Sequence, residues 1–130
     1  MLKKVFNDRA WNFKADPFYS ENENSIYFEK FNYFLGTGKL AKYSFENKSI
    51  KDIKTSDNIH YSYPCTFEHE GETYLIPEGA QSNKIEIYRV DQDSLKKVTT
   101  VIDGFAGVDP TIVEHNNTWY IFATDGRMGG

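Results

Sequence analysis

Short apolar segments alternate with polar turns along the whole chain, and nowhere do the apolar positions keep a convincing helical period. Lys84-Ile85-Glu86-Ile87-Tyr88-Arg89-Val90 places Ile85 and Ile87 on one face and Glu86, Tyr88 and Val90 on the other, the period-two pattern of a strand. Further strands are predicted over Lys39–Phe45, Ile50–Lys54 and Leu95–Ile102, each bounded by turn residues. The fold class is therefore all-β.

The pattern also repeats. Pro17, Pro64 and Pro110 each open a strand, turn and strand, and they stand 47 and 46 residues apart. Tyr63-Pro64-Cys65-Thr66-Phe67-Glu68-His69, a Glu-Gly turn and Glu72–Glu78 match Asp109-Pro110 through Thr124 without a gap. The first copy, Asp16-Pro17-Phe18 to Glu29, fits with a hairpin two residues shorter. Four strands recurring at this interval match β-propeller blades, whose usual repeat is about 40–50 residues. The expected units are about 9–57, 58–104 and an incomplete 105–130, or about two and a half four-stranded blades of one domain. A β-sandwich with accidental internal similarity is the rival architecture. Two complete blades and a partial one do not close a ring, so a truncated sequence or a partner that completes the propeller is expected.

Composition narrows the partners. Fifteen basic against 19 acidic side chains leave a net charge of −4, without the basic patch that nucleic acid or an anionic membrane requires. No apolar run reaches the roughly 20 residues that span a bilayer, and the Met1–Val5 start leads into polar Asn7-Asp8-Arg9 instead of a signal-peptide core. The expected location is cytoplasmic. Cys65 is the lone cysteine and reads as a small core residue. No cofactor or metal site is expected: His69 and His115 lie by hairpin turns, and Gly36-Thr37-Gly38-Lys39 is a hairpin turn without the spacing or helix of a phosphate loop. Ser20–Ser25 reads as a solvated turn. Aromatic side chains make up 16% of the chain and supply flat faces for sugar rings.

In a propeller the first strand of each blade lines the axis. Asp16, Tyr63 and Asp109, each just before a proline, are then set at one level around it, and the returning strands bring Glu29, Glu78 and Thr124 to the same end. His60 sits in the loop entering the second unit, at the rim. Asp16, Asp109, Tyr63, Glu78 and His60 have plainer readings as well. An Asp before Pro caps its own turn, Tyr63 serves as a core aromatic, Glu78 ends a strand in solvent, and His60 is held by structural hydrogen bonds.

Asp16-Pro17-Phe18, Tyr27–Tyr33, Gly36–Lys39, His60–Pro64 through Ile76-Pro77-Glu78, and Val108–Thr111 together resemble the glucosamine inositolphosphorylceramide transferase N-terminal family. The resemblance covers nearly the whole chain. It implies a five-bladed propeller, related to bacterial domains that accompany formyltransferase or glycosyltransferase modules and distantly similar to arabinanase and β-xylosidase propellers. From those hydrolases it implies Asp16 as a base and Asp109 as the aspartate that tunes the acid, the acid itself being a glutamate in a later blade. Inverting hydrolysis needs both groups, so this chain alone is not expected to hydrolyse glycosides. The expected function is a carbohydrate-binding or carbohydrate-processing module of a larger glycan or nucleotide-sugar enzyme, with Asp16 and Asp109 as catalytic candidates and His60, Tyr63, Glu29 and Glu78 binding sugar. A glycoside hydrolase lacking its acid blade and a non-catalytic protein-interaction propeller are the alternatives. Its expected partners are a carbohydrate or nucleotide-sugar ligand and the missing blades or a transferase module.

Overall fold

A computed structural model describes residues 12–127. Residues 9–11 and 128–130, at the outer ends of the first and third expected units, and the Met1–Arg9 segment lie outside the described residues.

The chain forms β1 (Asn12–Ser20), β2 (Ser25–Asn32), β3 (Thr37–Ser44) and β4 (Ser49–Asp52), then β5 (Ser62–His69), β6 (Glu72–Glu78), β7 (Lys84–Asp91) and β8 (Ser94–Asp103), and last β9 (Gly107–His115) and β10 (Thr118–Asp125). One 3-10 turn at Ala80–Ser82 is the only helical element among the described residues. Each strand pairs antiparallel with its chain neighbour, giving two four-stranded meanders and a two-stranded sheet. No helix is long and apolar enough to cross a membrane.

The turn chemistry explains the tight hairpins. Glu70 and Gly71 join β5 to β6 with φ of 49° and 79°, and Asn116 and Asn117 join β9 to β10 with φ of 50° and 58°. Two successive left-handed residues match the right-handed twist of the flanking strands. Between β2 and β3, the Asn32 Oδ1 accepts the Phe34 and Leu35 N–H groups, and left-handed Gly36 closes the turn. Thr37-Gly38-Lys39 belong to β3, so the expected turn is shorter than the sequence suggests.

Burial follows the predicted alternation in β7. Tyr88 and Val90 join Tyr27, Leu40, Leu75 and Leu95 in the core between the first two sheets. Ile85 packs on the backbone of Gly107 in β9, and Ile87 lies beside Ile112 and Trp119 on the same side. Full burial of each large apolar side chain stabilises the fold by roughly 1.5–3 kcal/mol. Buried phenols are satisfied: Tyr61 donates to Asp57 and meets the Tyr88 hydroxyl, and Tyr88 donates to Glu86. The main chain adds a stitch, as Lys54 N–H donates to Asp93 and Leu95 N–H to Lys54.

The polar run Ser20–Ser25 departs from its expected solvation. Ser20 and Ser25 are buried, and Ser20 Oγ donates to Glu68 and meets Thr73 of the second sheet. A hydroxyl with a partner across the sheets tolerates burial that its local sequence does not announce. Cys65 is buried as expected, and burial pushes its thiol up. On the third sheet the corresponding apolar row is uncovered: Phe122 is 61% exposed, whereas Tyr27 and Ile76, at matching positions of β2 and β6, are fully buried.

Candidate functional site

The same irregularity interrupts β1, β5 and β9. Pairing jumps from Ala15↔Glu29 to Phe18↔Tyr27, from Ser62↔Glu78 to Cys65↔Ile76, and from Val108↔Thr124 to Thr111↔Phe122. In each case two residues, the second a proline, oppose one. Proline has no N–H to give the ladder, so it fits a bulge and not a regular central position. The first bulged residue is left-handed in all three: Asp16 at φ 51°, Tyr63 at 43° and Asp109 at 50°. A side chain disfavours that conformation and a following proline restricts the backbone further, so three repeats mark a backbone held by its surroundings. In the returning strands the residues paired just before the bulges are Glu29, Glu78 and Thr124.

Four carboxyl groups on these strands act on one another through their charges. Asp16 is raised above the ordinary range by burial and then by the charge of Asp109. Glu29 is pushed up to about 7, first by burial and then by the charges of Asp16 and Glu78. Burial also raises Glu78, the charge of Asp109 adds to it, and the Asp109 N–H and His60 pull the other way. That N–H donates to Glu78 Oε2 at 2.9 Å. Asp109 is exposed, Asp16 and Glu78 are half-buried, and only 8% of the Glu29 side chain is exposed. The Glu29 carboxyl faces the His60 ring, and among the described residues no buried side-chain oxygen lacks a hydrogen-bond partner.

His60 is positioned by three contacts. Its Nδ1 accepts the Gly38 N–H at 2.6 Å, its own N–H donates to Gln81 Oε1 at 3.1 Å, and its ring meets Phe31 edge-on. An acceptor Nδ1 leaves the ring proton on Nε2, which lies 3.9 Å from Glu29 Oε1. Gly38 makes this approach possible. A Cβ there would fall on the Glu29 carboxylate, at 2.7 Å from His60 Cε1 and 3.0 Å from the Tyr61 carbonyl oxygen. The sequence placed Gly38 in a turn, although a glycine inside a strand is itself a signal of close approach. Gln81 and Phe31 gave no signal before the fold brought them to His60.

Tyr63 shares the bulge geometry but directs its side chain elsewhere. Its hydroxyl meets Thr111 Oγ1 at 3.0 Å and its ring packs edge-on against Phe18 at 5.0 Å. It ties the three first strands together at the edge of the carboxyl cluster. A cavity of about 450 Å³ lined by Thr37, Gly38, Lys54, Asp57 and Tyr61 holds none of the four carboxyl groups. Among the described residues no group of three or more His, Cys, Asp or Glu side chains is arranged to hold a metal ion. His69 instead lies against Trp119, at the hairpin-turn end.

A family profile described as "Glucosamine inositolphosphorylceramide transferase 1, N-terminal" matches residues 4–130. The chain belongs to this family. Among relatives of the glucosamine inositolphosphorylceramide transferase 1 N-terminal family, the Arabidopsis thaliana glucosamine inositolphosphorylceramide transferase 1 is 28% identical over 121 residues, which are 88% of this chain and 16% of that protein. The protein of the same name from Oryza sativa subsp. indica is 31% identical over 74 residues, 56% of this chain and 10% of its own length. The chain thus spans between 10% and 16% of the length of the curated relatives it matches. No solved structure matches it significantly.

Proposed function

We propose that this chain is the carbohydrate-binding part of a transferase-associated β-propeller, with sugar held by Asp16, Glu29, Glu78 and Asp109 and bordered by His60 and Tyr63. The observation that carries the reading is the repeated bulge, which sets Asp16 and Asp109 at equivalent left-handed positions with Glu29 and Glu78 on the returning strands beside the bulges. Sugar hydroxyls donate to carboxylates, and the rings of Phe18, Tyr63 and Phe31 offer apolar surface at the rim. The relatives carry the name of a transferase that includes glucosamine, which agrees with a sugar-related or nucleotide-sugar ligand.

The propeller architecture rests on the repeated bulge and on strand order. The units 9–57, 58–104 and 105–130 are successive blades, of which β9 and β10 are the first two strands of the third. Phe122, exposed where Tyr27 and Ile76 are buried, marks the face on which further blades or a transferase module pack. Calorimetric titration of the protein with a monosaccharide panel tests the site. Binding at millimolar concentration that is lost in folded Asp16→Asn and Asp109→Asn variants supports it, and retention in both variants overturns it.

One observation favours a second, hydrolytic reading. Glu29, titrating at about 7 beside Asp16, provides a proton donor within this chain next to a base. Inverting chemistry would then run with Glu29 protonating the leaving oxygen and Asp16 activating water, given a separation of about 6.5–9.5 Å. Release of reducing sugar from aryl glycosides, abolished by Glu29→Gln, is its test.

A further inference from the structure

We infer that the groove between the second and third sheets seats a two-stranded β-hairpin, which adds to the free edge of β10 and lays an apolar face on the second sheet. The inference needs the repeated sheets and not the carbohydrate reading. The groove, about 450 Å³, runs between Phe67, Tyr74, Ile87, Val98 and Val101 of the second sheet and Trp119 of the third. No Asp, Glu, Lys or Arg among the described residues lines it. It continues an interface that is already formed, because Ile85 packs on Gly107 of β9. Beyond that contact the outer strand of the second sheet is bare, with Val98 54% and Val101 41% exposed.

The first two sheets show what covers such a face. Tyr88 and Val90 of β7 and Leu95 of β8 share one core with Tyr27, Leu40 and Ile53, so the third and fourth strands of one sheet seal the outer half of the sheet before it. The third sheet has β9 and β10 alone among the described residues. Its edge differs from the other two in the same sense. β4 is four residues long and holds Lys51 and Asp52, and β8 holds Lys96 and Lys97 and is broken by two register shifts, devices that discourage a further strand. β10 runs from Thr118 to Thr124 with neither a charge nor a proline. Its counterpart β6 pairs with β7 at Tyr74↔Arg89 and Leu75↔Tyr88. The repeat sets Tyr120 and Ile121 at those two places, so the incoming strand runs antiparallel to β10, pairs there, and turns the counterpart of Tyr88 onto Ile87 and Val98. A second copy fits less well, because the face of its β10 that carries Trp119 and Ile121 is already turned to its own second sheet.

The probe is the chain's own hairpin, residues 84–103, whose Tyr88, Val90 and Leu95 already cover a sheet of this kind. It is added to the intact protein as a synthetic peptide. Because an isolated hairpin is only marginally stable, it is also joined after Gly130 through a short flexible linker, which brings its effective concentration to about the millimolar range. Amide hydrogen exchange and NMR shifts are read on both. The expected result is exchange slowed about tenfold or more at the outward-facing amides of β10, with shifts at Ile87, Val98, Val101 and the Trp119 indole. Tyr88→Ser and Val90→Ser in the added copy alone should remove both effects. Effects that survive those two changes overturn apolar docking, and protection of β4 or β8 in place of β10 overturns the assigned edge. No protection in the linked protein overturns the inference outright. A dimer of the unaltered protein by sedimentation, with the β10 amides already protected, gives the groove to a second copy and overturns the hairpin. None of these outcomes bears on monosaccharide binding, which is titrated separately on the unaltered protein.

Discussion

Glu29 and Glu86 are both strand glutamates with little exposed side chain, 8% and 12%, and their surroundings treat them in opposite ways. Burial pushes Glu86 up, yet Lys97 at 2.6 Å, the Tyr88 hydroxyl at 2.7 Å and the Thr100 hydroxyl at 3.2 Å outweigh it and hold the carboxyl below its ordinary value. Glu29 rises to about 7, first by burial and then by the charges of Asp16 and Glu78, with the His60 ring at 3.9 Å. Burial alone therefore does not decide the state of a carboxyl group; the partners supplied with it do. The fold completes Glu86 from within.

Opposite responses to the same substitution would sharpen this contrast most. Glu29→Gln removes a charge the fold disfavours and should raise stability at pH 8 by up to about 3 kcal/mol while abolishing sugar binding. Glu86→Gln weakens the acceptor for Lys97, Tyr88 and Thr100 and should lower stability by about 1–3 kcal/mol without touching the binding site. Urea unfolding of both variants at pH 8 decides it, and equal signs would break the comparison.

The pH dependence of the unaltered protein comes next in size. Glu29 binds its proton more tightly when folded, at about 7 against 4.5 unfolded. The native state then holds more protons across that window, so this group's contribution to stability declines as pH rises from about 4.5 to about 7. The fall should reach about 2 kcal/mol between pH 5 and pH 8 and vanish in Glu29→Gln. Glu86, with its folded value depressed, acts in the other direction: its contribution is present above the unfolded value and is lost as acidification carries it through the folded one.

Gly38→Ala should cost about 1–2 kcal/mol, because the new methyl meets Glu29, His60 and the Tyr61 carbonyl. Its sugar affinity should fall with it. Lys97→Met is the mildest change. Lys97 is half-exposed, so losing its ion pair should lower stability by less than about 1 kcal/mol, read from the shift in urea midpoint.

The strand pattern, the three proline-opened hairpins and the convergence of Asp16, Asp109, Glu29, Glu78 and His60 were legible in the chain because each rests on local period and on repetition. Other features depend on contacts distant in sequence. Burial of Ser20 needs Glu68 and Thr73, and the hold on His60 needs Gly38 and Gln81. The left-handed Asp16, Tyr63 and Asp109 were not legible either, since residues before proline ordinarily avoid that conformation and only the bulged register reveals it. Tyr63 was marked for its position, which says nothing of the Thr111 hydroxyl that takes up its own.

The most direct measurement of the central claim is a two-dimensional amide NMR titration of the protein with a panel of monosaccharides. The account predicts saturable shifts at residues 16, 29, 38, 60, 78 and 109, with little change in the apolar groove formed by Phe67, Tyr74 and Trp119. Shifts confined to that groove, or none at a concentration well above about 1 mM, the weak end of the affinity scale, would contradict it.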